Sequence, residues 1–141
     1  MLQVHRIFVI FEADDAASVA HVDAWGANQN DDLATYNRRG GVPIDSSTAE
    51  SIKRALRDKI DRAIVLVCVI GATTSQDPWV NWELDYAKST GKYLLGVLLD
   101  PDNTKPRALV EAGAVFTSYD EADIKEAIGS AVILGALRRP S

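Results

Sequence analysis

Short apolar runs alternate with longer segments of helical period along this chain of 141 residues. RIFVIF (6–11) is continuous and rich in β-branched residues, then breaks into the polar EADDAAS, which predicts a buried strand and a loop. A weak helical pattern follows over 16–25, and LATYN (33–37) reads as a second strand. RRGGVPIDSS holds two glycines and a proline among turn formers and predicts a loop. Ser47 and Glu50 have the spacing of a capping box. Beyond them Ile52, Leu56 and Ile60 recur every four residues with Ala55 on the same side, the mark of an amphipathic helix. RAIVLVCVI (62–70) has the unbroken apolar character of a central strand covered on both faces, and Gly71 ends it. After the loop ATTSQD, Asp77 and Pro78 predict a helix start, with Asp as the cap and Pro at the first helical position. That helix runs to about Ser89 and Gly91 closes it. YLLGVLL is a fourth strand, DPDNTKPR a loop, 108–111 a short helix and AVFTS a fifth strand. EADIKEAIGSAVILGAL is the closing helix, with Ile124, Ile128, Ala131 and Leu134 in register.

Strands and helices that alternate in this way predict one α/β domain over 1–141, with a parallel sheet and helices on both faces. Right-handed crossovers leave few windings, and for five strands the flavodoxin-like order 2-1-3-4-5 leads. In that order the sheet reverses direction between its first and third strands. A crevice then opens at their C-terminal ends, bordered by FEADDAAS and by GATTSQDPW, which runs directly into the helix starting at Asp77.

Composition narrows the partners. The formal charge is −5, from 15 basic and 20 acidic residues, so no basic stripe offers itself to a nucleic-acid backbone. The one cysteine, Cys68, lies in the middle of a strand; it reads as core and fits a reducing compartment. No apolar run approaches a membrane span, and the first residues lack the pattern of a secretory signal, so a cytoplasmic location is expected. His5 and His21 lack ligand-like neighbours, and no metal site is expected. Asp14 and Asp15 stand where receiver domains carry an acidic pair, yet VIGATT lacks the acceptor aspartate. FEADDAAS is too acidic for a flavin phosphate, and there is no dinucleotide glycine fingerprint or P-loop.

TTSQDPWVNWELDYAK carries the candidate chemistry. At about 100° per residue, Val80, Leu84 and Ala87 face the sheet, Asn81, Asp85 and Lys88 face water, and Trp79, Trp82 and Tyr86 form a third stripe. Glu83 falls between the sheet face and the aromatic stripe, near the crevice end. Partial burial disfavours a charged carboxylate unless a donor or cation answers it, which makes Glu83 a candidate functional acid. The structural alternative is a pair with Arg38 or Lys92 at the rim, with the tryptophans covering the end of the sheet.

RIFVIFEADD, the apolar third strand and WVNWEL resemble a TIR domain, in particular the TIR-like group of the Thoeris ThsB type from prokaryotic antiviral systems. The signature is a Trp followed four residues later by Glu and then Leu, here Trp79, Glu83 and Leu84. PIDSSTAESIKRALRDKI and WVNWELDYAKSTGKYLLGV are similar to their counterparts in that group, so the likeness spans about Arg6 to Val97. The resemblance implies a flavodoxin-like fold and, for catalytic members, cleavage of the nicotinamide–ribose bond of NAD, with no other cofactor. In the Thoeris-like group the product is a cyclic ADP-ribose isomer sensed by a separate effector. The resemblance makes Glu83 the catalytic residue and the 38–47 loop the gate and the surface for homo-oligomer assembly. The expected substrate contacts are Phe11, Glu12, Asp45, Thr73, Thr74 and Trp79. After the first strand the sequence has FEADD, a departure from the Ser-Tyr or Ser-Arg common in TIR domains.

One carboxylate suffices for such a reaction. Nicotinamide departs as a neutral molecule, so no general acid is needed, unlike ordinary glycoside hydrolysis. Two other readings remain from the residues: a non-catalytic TIR-like scaffold, and a nucleoside deoxyribosyl transferase using a glutamate on this kind of fold.

Overall fold

Alternate side chains of a strand point to opposite faces, and this chain uses both. The computed structural model describes residues 7–12, 15–25 and 41–138. At its centre four parallel strands lie side by side in chain order: β1 (Ile7–Ile10), β2 (Val65–Ile70), β3 (Tyr93–Leu98) and β4 (Val115–Ser118). Ile7 pairs with Val65, Val65 with Tyr93, and Leu95 with Val115. The predicted strand at 33–37, which the expected order sets beside β1, lies outside the described residues.

Helices cover both faces. Phe8, Ile10, Leu66, Cys68, Ile70 and Leu94 pack against α2 (Ala49–Arg62), α3 (Pro78–Ser89) and α4 (Arg107–Glu111). The intervening residues, among them Ile7, Val9, Val65, Val67, Leu95 and Val97, pack against α1 (Ala16–Trp25) and α5 (Glu121–Arg138). Cys68 is core, as its position predicts. No helix among the described residues is long and apolar enough to cross a membrane.

Three local expectations are corrected. The capping box at Ser47 and Glu50 does not form. Turns lead into α2 instead, with Ser46 N–H on Pro43 O and Ala49 N–H on Ser46 O, both 3.1 Å. Thr48 precedes the helix without a side-chain cap, and Glu50 reaches Lys53 at 3.5 Å. The strand expected from Arg62 begins at Val65, because α2 keeps its amphipathic turn through Arg62 and ends at an extended Ala63. Leu134 is 46% exposed, while the inward positions of α5 are Ile124, Ile128, Ala131 and Gly135. Gly135 sits where the helix crosses the start of β2: a Cβ there would lie 2.8 Å from the Ile64 carbonyl oxygen.

Two substitutions on α5 therefore have opposite signs. Gly129 has open space around its Cβ position, so Gly129→Ala should stabilise by about 0.5–1 kcal/mol through helix propensity. Gly135→Ala should destabilise by about 1–3 kcal/mol because backbone or helix must shift. Urea denaturation of both variants checks the pair; equal shifts would refute the close helix–strand contact.

Candidate active site

The site grows from the end of β2. All six residues of that strand are buried, so the loop leaving it must satisfy its polar groups internally. Gly71 N–H donates to Thr74 Oγ1 at 2.8 Å, and that hydroxyl donates to Asp15 Oδ2 at 3.3 Å. The Thr73 hydroxyl donates to Glu12 Oε1 at 2.6 Å. The loops after β1 and β2 are thus laced together at the C-terminal edge of the sheet. Gly71 leaves room for this packing, since a Cβ there would lie 2.5 Å from Asp15 Oδ2 and the carboxyl would have to shift.

A single 3₁₀ turn, Thr74–Gln76, then delivers the chain to α3. Asp77 caps it by accepting from Val80 N–H at 3.0 Å, and Pro78 occupies the first turn, as the sequence predicts. The Asn81 amide donates back to Ser75 O at 3.1 Å and fixes the loop to the helix. Val80, Leu84 and Ala87 are fully buried against the sheet. On the outer side Lys88 bonds Glu111 at 2.8 Å and clips α3 to α4, and Arg107, one turn earlier on α4, bonds the same carboxylate at 2.8 Å. The bond from Lys88, and then that from Arg107, holds the Glu111 carboxyl below the usual carboxylate range.

Glu83 lies on the flank between these two sides of α3 and is 2% exposed. With Thr74 it forms the pair of buried polar or charged side chains among the described residues. Trp79, one turn earlier, is 8% exposed, and its indole N–H donates to Val42 O at 2.8 Å. The helix that carries Glu83 is thereby tied to the 41–47 part of the predicted gating loop. Lys92, one of the partners weighed for Glu83, donates to the carbonyls of Asp61 and Ala63 at 2.7 and 2.9 Å. Arg38, the other, lies outside the described residues.

The rest of the aromatic stripe packs against α2. Trp82 stacks on Tyr86 with ring centroids 6.0 Å apart and meets Trp79 edge-on at 6.3 Å. The Arg57 guanidinium and the Lys53 ammonium lie 5.4 and 5.8 Å from the Trp82 ring. The Tyr86 hydroxyl donates to Asp61 Oδ1 at 2.8 Å. Burial first, and then the Asp61 bond and charge, push the Tyr86 phenol above its ordinary pKa.

The expected substrate contacts separate into groups. Glu83 and Trp79 share a flank of α3, and Glu12 and Thr73 meet across the laced loops. Thr74 is fully buried with its hydroxyl engaged on both sides, so it shapes the loop where a substrate contact was expected. The Phe11 side chain packs in the α1–α5 layer, across the sheet from Glu83, because it continues the odd-numbered face of β1. Asp45 is exposed on the segment whose Val42 and Ile44 pack near Trp79. Sequence reasoning missed Asp15 as a loop brace, Val42 as the indole acceptor and Asp61 as the tyrosine acceptor. A signal existed for the first alone, a glycine ending a buried strand opposite an acidic loop.

Residues 8–104 match the family described as Thoeris protein ThsB, TIR-like domain. A search of curated proteins found no match.

Thr74→Val should cost about 1–3 kcal/mol, because Gly71 N–H loses its acceptor and Asp15 a donor, whereas Thr74→Ser should restore most of it. A denaturation midpoint unchanged in the valine variant would contradict the bracing role. Tyr86 gives a pH signature. Its raised pKa favours the neutral phenol in the fold, so the stabilisation is complete below about pH 10 and lost as pH climbs through the folded value. Difference titration of the phenolate band against Tyr86→Phe should show that Asp61→Asn lowers this midpoint.

Proposed function

The chain belongs to the TIR-like family of the Thoeris protein ThsB, and on that premise we propose that it is an antiphage-defence enzyme acting on NAD in the cytoplasm. It breaks the bond between nicotinamide and ribose and releases a cyclic ADP-ribose-type signal for a separate effector. The observation that carries this reading is the burial of Glu83 at 2% exposure, on a helix launched from the C-terminal edge of the sheet. Trp79, Glu83 and Leu84 all fall inside the matched segment.

In the proposed reaction the C–N bond to nicotinamide breaks and its electron pair leaves with the neutral base. Positive charge is left on the ribose. The Glu83 carboxylate stabilises that cation, and its burial at 2% exposure strengthens the interaction. A nucleophilic group elsewhere in the same molecule then bonds to that ribose carbon and closes the ring, releasing to solvent any proton it carried, and exclusion of water favours closure over hydrolysis. The residues that meet the substrate besides Glu83 are Trp79, Asp45 and the rim pair Glu12 and Thr73. Trp82 is engaged by Tyr86 and the cations of α2, so Trp79 is the aromatic assigned to the substrate. The loop at 38–47 gates entry, and NAD serves as substrate with no further cofactor.

Glu83→Gln should lower product formation by at least about 10²-fold while circular dichroism stays unchanged. The assay incubates each protein with NAD, purified and in lysate from phage-infected cells, and follows nicotinamide and cyclic products by mass spectrometry. Equal turnover by the two proteins would remove Glu83 from the chemistry.

A further inference from the structure

The chain leaves β1 through Glu12. Phe8 and Ile10 face the layer of α2 and α3, and Phe11 faces the opposite layer. Alternation returns Glu12 to the side of the sheet that carries Glu83. On that side α3 reaches across to β1. The two carboxyl groups therefore belong to the same face and the same end of the sheet.

Glu12 is half-buried. Its Oε1 accepts from the Thr73 hydroxyl at 2.6 Å, which fixes the direction of the carboxyl group. Among the described residues that hydroxyl is its one side-chain partner, and no cation pairs with it. The basic side chains of this face are committed elsewhere. Lys53 and Arg57 lie over the Trp82 ring, and Lys92 holds the carbonyls of Asp61 and Ala63. Asp15 lies behind Glu12 in the same lacing, and Asp45 is exposed on the segment pinned to Trp79. The rim is acidic.

A carboxylate oriented through one oxygen, with the other open and no described cation beside it, accepts well from hydroxyls and repels anions. In a dinucleotide the groups that suit it are the ribose hydroxyls, and the group that suits it least is a phosphate. The proposed ring closure adds a geometric argument. A dinucleotide that closes on itself is folded when it reacts, so its second ribose lies close to the one beside Glu83. The crevice thus has to accommodate both sugars.

We propose that Glu12 accepts a hydrogen bond from the 2′-hydroxyl of the adenosine ribose and so selects NAD against its 2′-phosphorylated counterpart, NADP. This selectivity rests on the assignment of NAD as substrate and of Glu83 as the acid that serves its cleavage. A 2′-phosphate removes the donor and sets a dianion against a carboxylate. Glu12 is a specificity-determining residue and takes no part in breaking the bond.

Nicotinamide release by the purified full chain, measured with NAD and with NADP, tests it. The wild type should favour NAD in kcat/KM by at least about 10²-fold. Glu12→Gln keeps an oxygen for Thr73 and loses the charge, so it should narrow that ratio by at least about tenfold, chiefly through a lower KM for NADP. Glu12→Asp should keep NAD preferred. Thr73→Val breaks the lace and keeps the charge, so most of the preference should survive. Calorimetric titration supplies a readout apart from turnover. ADP-ribose should bind the wild type and 2′-phospho-ADP-ribose should not, whereas Glu12→Gln should bind both. Equal use of the two dinucleotides, or a ratio unmoved in Glu12→Gln, would overturn the proposal while leaving NAD cleavage intact. So would Glu12→Gln and Thr73→Val variants that lose both substrates alike, since Glu12 would then be only a brace. A protein that neither cleaves NAD nor binds ADP-ribose is not an NAD enzyme, and the selectivity falls with that activity.

Discussion

The burial of β2 on both sides constrains everything built around it. Six consecutive residues leave no room for water, so the chain emerging at Gly71 meets its hydrogen-bonding needs within the protein. Thr74 and Asp15 supply them, and the glycine is what lets the Asp15 carboxyl come so near. The same lacing fixes the loops after β1 and β2 relative to each other. It also aims the short turn that ends at Asp77, and through it the axis of α3. The position of Glu83 is therefore inherited from a polar knot about two turns before it.

Much of this was readable in the residues because the signals were strong and local. Asp77-Pro78 is a helix start with a mechanism, and the angular spacing of Val80, Leu84 and Ala87 fixed the inner side of α3 and hence the flank that holds Glu83. What failed was decided by tertiary context. Ser47 and Glu50 have capping-box spacing, but the turns from Pro43 to Ala49 already satisfy the entry to α2. Leu134 lies about 100° from the inward position taken by Gly135, a difference that spacing cannot resolve where small residues sit next to large ones. Phe11 was grouped with its loop neighbours, whereas strand alternation carries it across the sheet.

The aromatic stripe divides into two uses. Trp82 and Tyr86 stack on each other along α3 and bind it to α2 through cations over the indole and the Asp61 bond. Such cation–π contacts contribute about 0.5–1 kcal/mol at exposed sites and more when desolvated, enough to hold two helices in one relative position. That clamp stands on one side of Glu83, and the apolar face of the sheet on the other. A carboxyl group set between them takes its position from the packing of helix on helix and helix on sheet.

The bond from the Trp79 indole to the Val42 carbonyl carries a mechanical implication. It pins the base of a surface segment to the first turn of the helix bearing Glu83. A swing of that segment has two routes: rupture of the pin, which bares a carbonyl and an indole, or a pull on the turn that Asp77 anchors. Movement of that segment and the placement of the first turn of α3 are in this way geared to one another.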